Sequence, residues 1–351
     1  MSLQNAIRLR NIYIKKKLSN LRLKKISQIK NQHSRKQMVA RKKFFQTRLF
    51  QRIKPQIRSQ IKPQVNNKRN NKGSLELLLK NNKSIKKIVS CYKENVMFGL
   101  GDFIRGSLYI FQVCDKYNVN YDVLFTNVLS RFLKTNNKSE QYNNTPSYDL
   151  NHGNNNLLVN YKYNSTIKLT TNTFNLNNNF SPFHKKLIKE KLEPNEEVST
   201  IVENILSNIN YTKNDYILIH IRTGDTDGNT IDTKSCNTNL LNNIYEKIKF
   251  YEEYLNKNKI FVVSDNTYVK TKLKEKYNFE CLLNNISHFA DKNASIESYK
   301  NTYIDFLLLS YSKQIISFSI YDNSKGHGSG FSYWPSVIYD IPYYFIKINK
   351  N

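Results

Sequence analysis

Four short strings hold the residues best suited to chemistry: Gly99-Leu100-Gly101-Asp102, His220-Ile221-Arg222-Thr223-Gly224-Asp225, Ser264-Asp265-Asn266 and Ser329-Gly330-Phe331-Ser332. An arginine held at a strand end can grip a diphosphate through paired hydrogen bonds and neutralise a departing nucleotide. Arg222 is the candidate for that role, with His220 on the same side of its strand. Gly99 and Gly101 let a backbone approach a ligand closely, and a helix opening after them offers N–H groups to an anion. Ser329 and Ser332 suit a phosphate for the same reason. Each string also has a plainer reading. The glycines can serve a tight turn, Arg222 can pair with an aspartate, and His220 can be a satisfied core histidine. Ser264 or Asp265 can cap the next helix. Asp305 lies inside the apolar run Tyr303 to Leu309, and a buried carboxylate needs a partner. Asp225-Thr226-Asp227 imitates a metal-binding pair, yet the arginine already supplies positive charge, so no metal is required.

The elements that must position these residues alternate. Apolar runs at Ile85 to Tyr92, Tyr216 to Ile221, Lys259 to Val263, Gln314 to Phe318 and Tyr343 to Ile348 read as strands. Helices are expected over 103–116, 184–192, 195–208, 239–256, 267–277, 297–311 and 331–339. Shorter strands are expected at 122–125 and 281–283, and the Asn-rich stretch 134–180 reads as long loops with short strands. Strands apolar on both faces, alternating with helices, predict parallel sheets covered on both sides. Such sheets bind ligands beyond the carboxyl ends of their strands, which is where the four strings fall.

The charge is unevenly placed. Of the 55 Lys and Arg residues, 22 lie in residues 1–72, which contain no Asp or Glu; the rest carries 33 basic against 27 acidic residues. The formal charge of +28 therefore belongs to an N-terminal extension. It reads as a disordered or helical basic segment, as a binder of polyanions or anionic surfaces, or as an Arg-rich transit peptide. Four separated cysteines, Cys91, Cys114, Cys236 and Cys281, have neither metal-ligand spacing nor a disulfide pattern. No apolar run is long enough to span a bilayer and no secretory signal opens the chain. A cytoplasmic location is expected, with organellar targeting or virion association as alternatives. The expected organisation is an extension and linker at 1–73, a Rossmann-like domain at 74–212 and a nucleotide-binding Rossmann-like domain at 213–351.

At these residues the chain resembles the fucosyltransferase superfamily, which includes the α1,2-, α1,6- and protein O-fucosyltransferases. His220 to Asp225 is similar to that family's first motif, and Gly99 to Asp102 with Arg105-Gly106 to its glycine loop. Ser264-Asp265, Asp305 to Ser310, Ile315 to Ser317 and Ser329 to Trp334 resemble its later motifs. The resemblance runs over roughly residues 85–350 and departs from the pattern at Thr223, Tyr333 and Pro335. It implies a GT-B-like fold, two Rossmann-type domains facing across a cleft. It further implies GDP-fucose as donor, inversion at the anomeric carbon, no metal and no other cofactor, and a glycan or protein hydroxyl as acceptor. Arg222 would then contact the β-phosphate, Asp305 would read guanine, and His220 would line the nucleotide pocket. Ser329, Ser332 and the Gly99 loop would hold the diphosphate. The general base is left open among Asp225, Asp227 and Asp232. The rival reading is a polyanion- or nucleic-acid-binding, virion-associated protein whose body is a degenerate transferase.

Overall fold

The computed structural model describes residues 74–96, 98–134, 140–150, 163–172, 180–224, 236–320 and 328–349. These belong to one unit, residues 68–351. The basic extension lies outside the described residues.

The chain forms two parallel sheets. The first half runs α1 (Ser74–Asn81), β1 (Lys87–Tyr92), α2 (Leu100–Tyr117), β2 (Asn120–Phe125), β3 (Ser147–Leu150), β4 (Thr166–Thr171), α3 (Pro182–Lys191) and α4 (Glu196–Asn208). The second runs β5 (Tyr216–Arg222), α5 (Thr238–Phe250), α6 (Glu252–Leu255), β6 (Lys259–Ser264), α7 (Thr267–Tyr277), β7 (Glu280–Cys281), α8 (Ile296–Ser310), β8 (Gln314–Ser319), α9 (Gly330–Tyr339) and β9 (Tyr343–Lys347). The strand orders are β2-β1-β4-β3 and β7-β6-β5-β8-β9. Every strand pair within the sheets is parallel. In each sheet the order reverses beside the first strand, between β1 and β4 and between β5 and β8. These reversal points are where α/β sheets open a crevice for ligands.

The burial of β5 explains its unbroken apolar sequence. Tyr216 and Leu218 point into the cluster shared with α2, α8 and α9, whereas Ile217, Ile219 and Ile221 point into a second cluster with α5 and α7. A strand covered on both faces cannot alternate in polarity. His220 and Arg222 follow the parity of Tyr216 and Leu218, so they lie on the face turned toward the first half. The first cluster runs without a break from Leu75 of α1 to Ile341. It buries the large side chains Phe103, Phe111, Tyr216, Phe261, Tyr303 and Phe306.

Local signals set several helix starts. Ser181, Asn195, Asn266 and Ser295 each accept a hydrogen bond from a backbone N–H in the first turn of α3, α4, α7 and α8. The cap of α7 is thus Asn266, rather than Ser264 or Asp265. The helix expected over 239–256 is interrupted at Tyr251, whose backbone leaves helical geometry between α5 and α6. Among the described residues no helix is long and apolar enough to cross a membrane.

Candidate active site

A cleft of about 270 Å³ opens where the carboxyl ends of β1, β5 and β6 meet the N-terminus of α9. Gly99, Gly101, His220, Arg222, Ser264, Asp265 and Ser329 all line it. Seven positions singled out from sequence, drawn from four separate strings, thus share one surface.

Arg222 ends β5 with its side chain 23% exposed, and its Nη1 lies 2.9 Å from Asp265 Oδ2. Asp265, at the end of β6, also accepts from Thr223 N (2.9 Å), Thr223 Oγ1 (3.0 Å) and Gly224 N (3.2 Å). One buried carboxylate therefore fixes the arginine and the turn that follows it. An arginine–aspartate pair does exist here, and its acid comes from the neighbouring strand. Ser264 Oγ accepts from Asn266 N at 3.1 Å, which braces the same corner.

His220 is buried, with Nδ1 3.3 Å from Ser317 Oγ in the adjacent strand β8. Ser317 Oγ lies 3.1 Å from Ser332 Oγ, which lies 3.4 Å from the Tyr343 hydroxyl. Burial pushes His220 down to about 4, and the Arg222 charge adds to the effect against the pull of Asp265. At neutral pH the imidazole is therefore uncharged, and this hydroxyl chain anchors it. The structure places Ser332 within the chain, fully buried, and not on the cleft wall.

Two helices open onto the cleft. Gly99 caps α2 and Ser329 caps α9, and neither cap position makes a side-chain hydrogen bond to its helix. Their first turns approach so closely that a Cβ on Gly101 would lie 2.5 Å from Gly330 C and 2.6 Å from Gly330 O. Gly101 is thus required by the contact between two helix N-termini. Gly328, at φ +66°, turns the chain into α9. Helix N-termini favour anions through their N–H groups and dipoles. Together with Arg222 they bring donors to the cleft floor, where Asp265 is the arginine's counter-charge. Asp102, in the first turn of α2, is paired with the buried Arg105 at 2.9 Å.

Asp305 does not line the cleft. It lies in α8, 2% exposed, one turn beyond the cleft-lining Thr302, and its Oδ2 has no hydrogen-bond partner. Burial pushes its carboxyl up to about 6, against the opposing charge of Lys270. The Nζ of the buried Lys270 is likewise without a hydrogen-bond partner. Asp225, Asp227 and Asp232 lie outside the described residues. Among the described residues no cluster of three or more His, Cys, Asp or Glu side chains could hold a metal ion.

Reading the sequence missed one wall. Ile286, Ser287, His288 and Phe289, between β7 and α8, line the cleft together with Thr302. The loop is tied down by bonds from Ser287 N to Thr302 Oγ1 (3.0 Å), from Thr302 Oγ1 to Ser287 O (2.7 Å) and from Asn301 Nδ2 to Asn285 O (3.0 Å). Phe289 stacks on Tyr299 with ring centres 5.7 Å apart and meets Tyr92 edge-on at 6.4 Å. The signal was present, since this segment also follows a strand. However, β7 pairs over only two residues, too short a strand to mark the segment that follows it as far as His288.

No family model and no curated protein matches the sequence. Among solved structures the chain is similar to the fucosyltransferase NodZ from Bradyrhizobium, at 11% identity over 72% of this chain and 91% of that one, TM-score 0.47. It is similar to NodZ α-1,6-fucosyltransferase co-crystallised with GDP at 10% identity, over 72% and 91% of the two chains, TM-score 0.45. It is also similar to a mutant of Arabidopsis thaliana FUT1 in complex with GDP, at 10% identity over 78% and 74%, TM-score 0.42.

Proposed function

We propose that this chain is a GT-B-like glycosyltransferase that transfers a sugar from a nucleoside-diphosphate donor. The observation that carries this reading is the meeting of Arg222 with two helix N-termini at the reversal points of two parallel sheets. That arrangement supplies what a diphosphate leaving group requires: fixed positive charge, backbone donors and little reorganisation when charge develops. Asp265 holds the guanidinium in place beforehand, so no rotamer entropy is lost when the donor binds.

The motif resemblance makes GDP-fucose the proposed donor. The same resemblance makes Asp305 the proposed reader of guanine, from a place one turn behind the cleft wall at Thr302. A buried carboxylate with an unbonded oxygen is costly unless a partner arrives, and the adjacent N–H groups of guanine are such a partner. In the proposed reaction an acceptor hydroxyl, on a glycan or protein, attacks the anomeric carbon opposite the departing GDP. The C–O bond to phosphate breaks and the configuration inverts. Arg222 and the α2 and α9 N-termini take up the charge on the β-phosphate. The hydroxyl proton passes to a base proposed among Asp225, Asp227 and Asp232. Because the arginine and helix ends supply the positive charge, turnover is proposed to need no metal. Residues 1–72 are proposed to bind polyanions, separately from catalysis.

The test is a thermal-shift series with GDP, UDP, ADP and guanosine, followed by GDP release from GDP-fucose with and without EDTA. A nucleotide at 100 times its Kd should add about 2.7 kcal/mol of apparent stability. No preference for GDP would refute the donor assignment. Activity lost to chelator and restored by manganese would refute metal independence.

A further inference from the structure

The imidazole of His288 lies directly over the glycine turn of the other half. A Cβ on Gly99 would lie 2.7 Å from His288 Nε2 and 3.3 Å from Cε1. Gly99 therefore has a reason to be glycine that no ligand supplies: the ring occupies the space a side chain would fill. The ring's orientation is set from its far side. Ala290 N–H donates to Nδ1 at 3.2 Å, and Asp291 N donates to His288 O at 2.8 Å. With Nδ1 accepting, a neutral imidazole carries its proton on Nε2. The ring is thus presented as a donor, beside Gly99 and the first turn of α2 and on the same cleft surface as Arg222. Its loop is fixed through Thr302, Asn301 and Tyr299 of α8, so the donor sits on a rigid support.

We propose that His288 is an anion-binding residue of the cleft, donating from Nε2 to the diphosphate at its α2 end. This deepens the reading of the cleft as a diphosphate site and rests on it. His288 completes a ring of donors contributed by four elements: Arg222 from β5, the N–H groups opening α2 and α9, and an imidazole from the β7–α8 loop. An imidazole N–H at this point adds a hydrogen bond to the leaving group. The loop belongs to the second sheet and touches the glycine turn of the first. A bound diphosphate would therefore bridge both halves through it.

The test uses the full chain labelled with ¹⁵N-histidine, in which His288 is one of six histidines. Its resonances are assigned by their absence from the His288→Gln variant. Titration with inorganic pyrophosphate should shift the His288 Nε2 and Hε1 signals to saturation. GDP should shift them likewise, and guanosine should leave them in place. His288→Ala should weaken pyrophosphate binding about tenfold, as expected for a bond to a charged group. His288→Gln, which places an N–H near the same point, should recover part of that loss. An unmoved His288 signal under saturating pyrophosphate overturns the proposal, as does a shift of equal size with guanosine. A pyrophosphate response without competition by GDP leaves His288 standing and removes the nucleotide-sugar reading. In the His288→Ala background Gly99→Ala should be tolerated, because the clashing ring is gone. An equal penalty in both backgrounds would refute the packing on which the argument stands.

Discussion

The two sheets hold their shares of the cleft in different ways. β5, β6 and β8 are buried on both faces and deliver side chains: His220, held through Ser317 to Ser332, and Arg222, paired with Asp265 beside Ser264. The first sheet delivers chiefly backbone. Its contribution is the Gly99 turn and the first turn of α2, placed by close packing instead of by polar networks. The second half is thus suited to recognising charge and chemistry, and the first to setting distance. Side-chain chemistry leaves a mark in sequence at single positions, whereas distance is a property of the assembled packing.

The sharpest way to break this comparison is Arg222→Ala. Removing a preorganised electrostatic contact to a leaving group costs about 3–4 kcal/mol in the barrier. Turnover should fall on the order of several hundredfold while the melting temperature stays near that of the parent. Unchanged turnover in the folded variant would remove Arg222, and the second half with it, from the chemistry.

The corresponding probe of the first half is steric. A Cβ on Gly106 would lie 1.8 Å from Thr171 O, and one on Gly101 would meet the Gly330 backbone. Gly106→Ala should lower stability by about 1–3 kcal/mol, because α2 must move off β4. Gly101→Ala should push α2 from α9 and raise the donor KM more than it lowers kcat. Denaturant unfolding and steady-state kinetics measure the two effects. Wild-type stability in Gly106→Ala would show that the first half sets no distance.

Asp305 sharpens the comparison from the other side, since its buried carboxylate, with an unbonded Oδ2, costs stability. Its folded carboxyl stands at about 6 against an ordinary 3.8. The folded state therefore holds the proton more tightly, and the stability this contributes is lost as pH rises through about 6. His220, at about 4 against an ordinary 6.5, acts with opposite sign: its contribution is lost as pH falls toward 4. Asp305→Asn removes the first effect and leaves the second. The variant should gain on the order of 1–3 kcal/mol at pH 7, become more stable from pH 4 to 6.5, and lose its preference for GDP. A less stable variant that still prefers GDP would refute both assignments.

The smallest effect concerns the basic extension. Deleting residues 1–72 removes 22 of 55 basic residues and no acidic ones. Heparin or DNA affinity should then fall, most strongly at low salt, because counterion release drives such binding. Turnover should be unchanged. Equal polyanion affinity in the two proteins would place the binding surface on the body.

β5, β6, β8 and α7 were legible because burial on both faces writes an unbroken apolar run and capping writes a polar one. β4 was not. It lies inside its sheet between β1 and β3, yet Thr-Ile-Lys-Leu-Thr-Thr offers only Ile167 and Leu169 to the core. Its other positions are satisfied locally. Thr170 Oγ1 donates to Cys91 O, Thr171 Oγ1 to Leu150 O, and the Lys168 ammonium to Tyr142 O. Those partners are distant in sequence, so no local window could reveal the strand among the asparagines around it.

The candidate site divides along the same line. By itself the sequence determined the residue types at the strand ends, because burial, strand parity and charge are local constraints that each position must meet alone. It therefore brought forward Arg222, His220, Asp265, Ser329 and the two glycines. Only the tertiary structure decided the pairings. Asp265 is the arginine's partner, Ser332 belongs to a buried hydroxyl chain, and Gly99 and Gly101 are glycines because His288 and α9 press against them. Such facts follow from contacts between separate elements, the glycine contacts joining segments more than a hundred residues apart, whose distances are fixed only once both sheets have packed around one core.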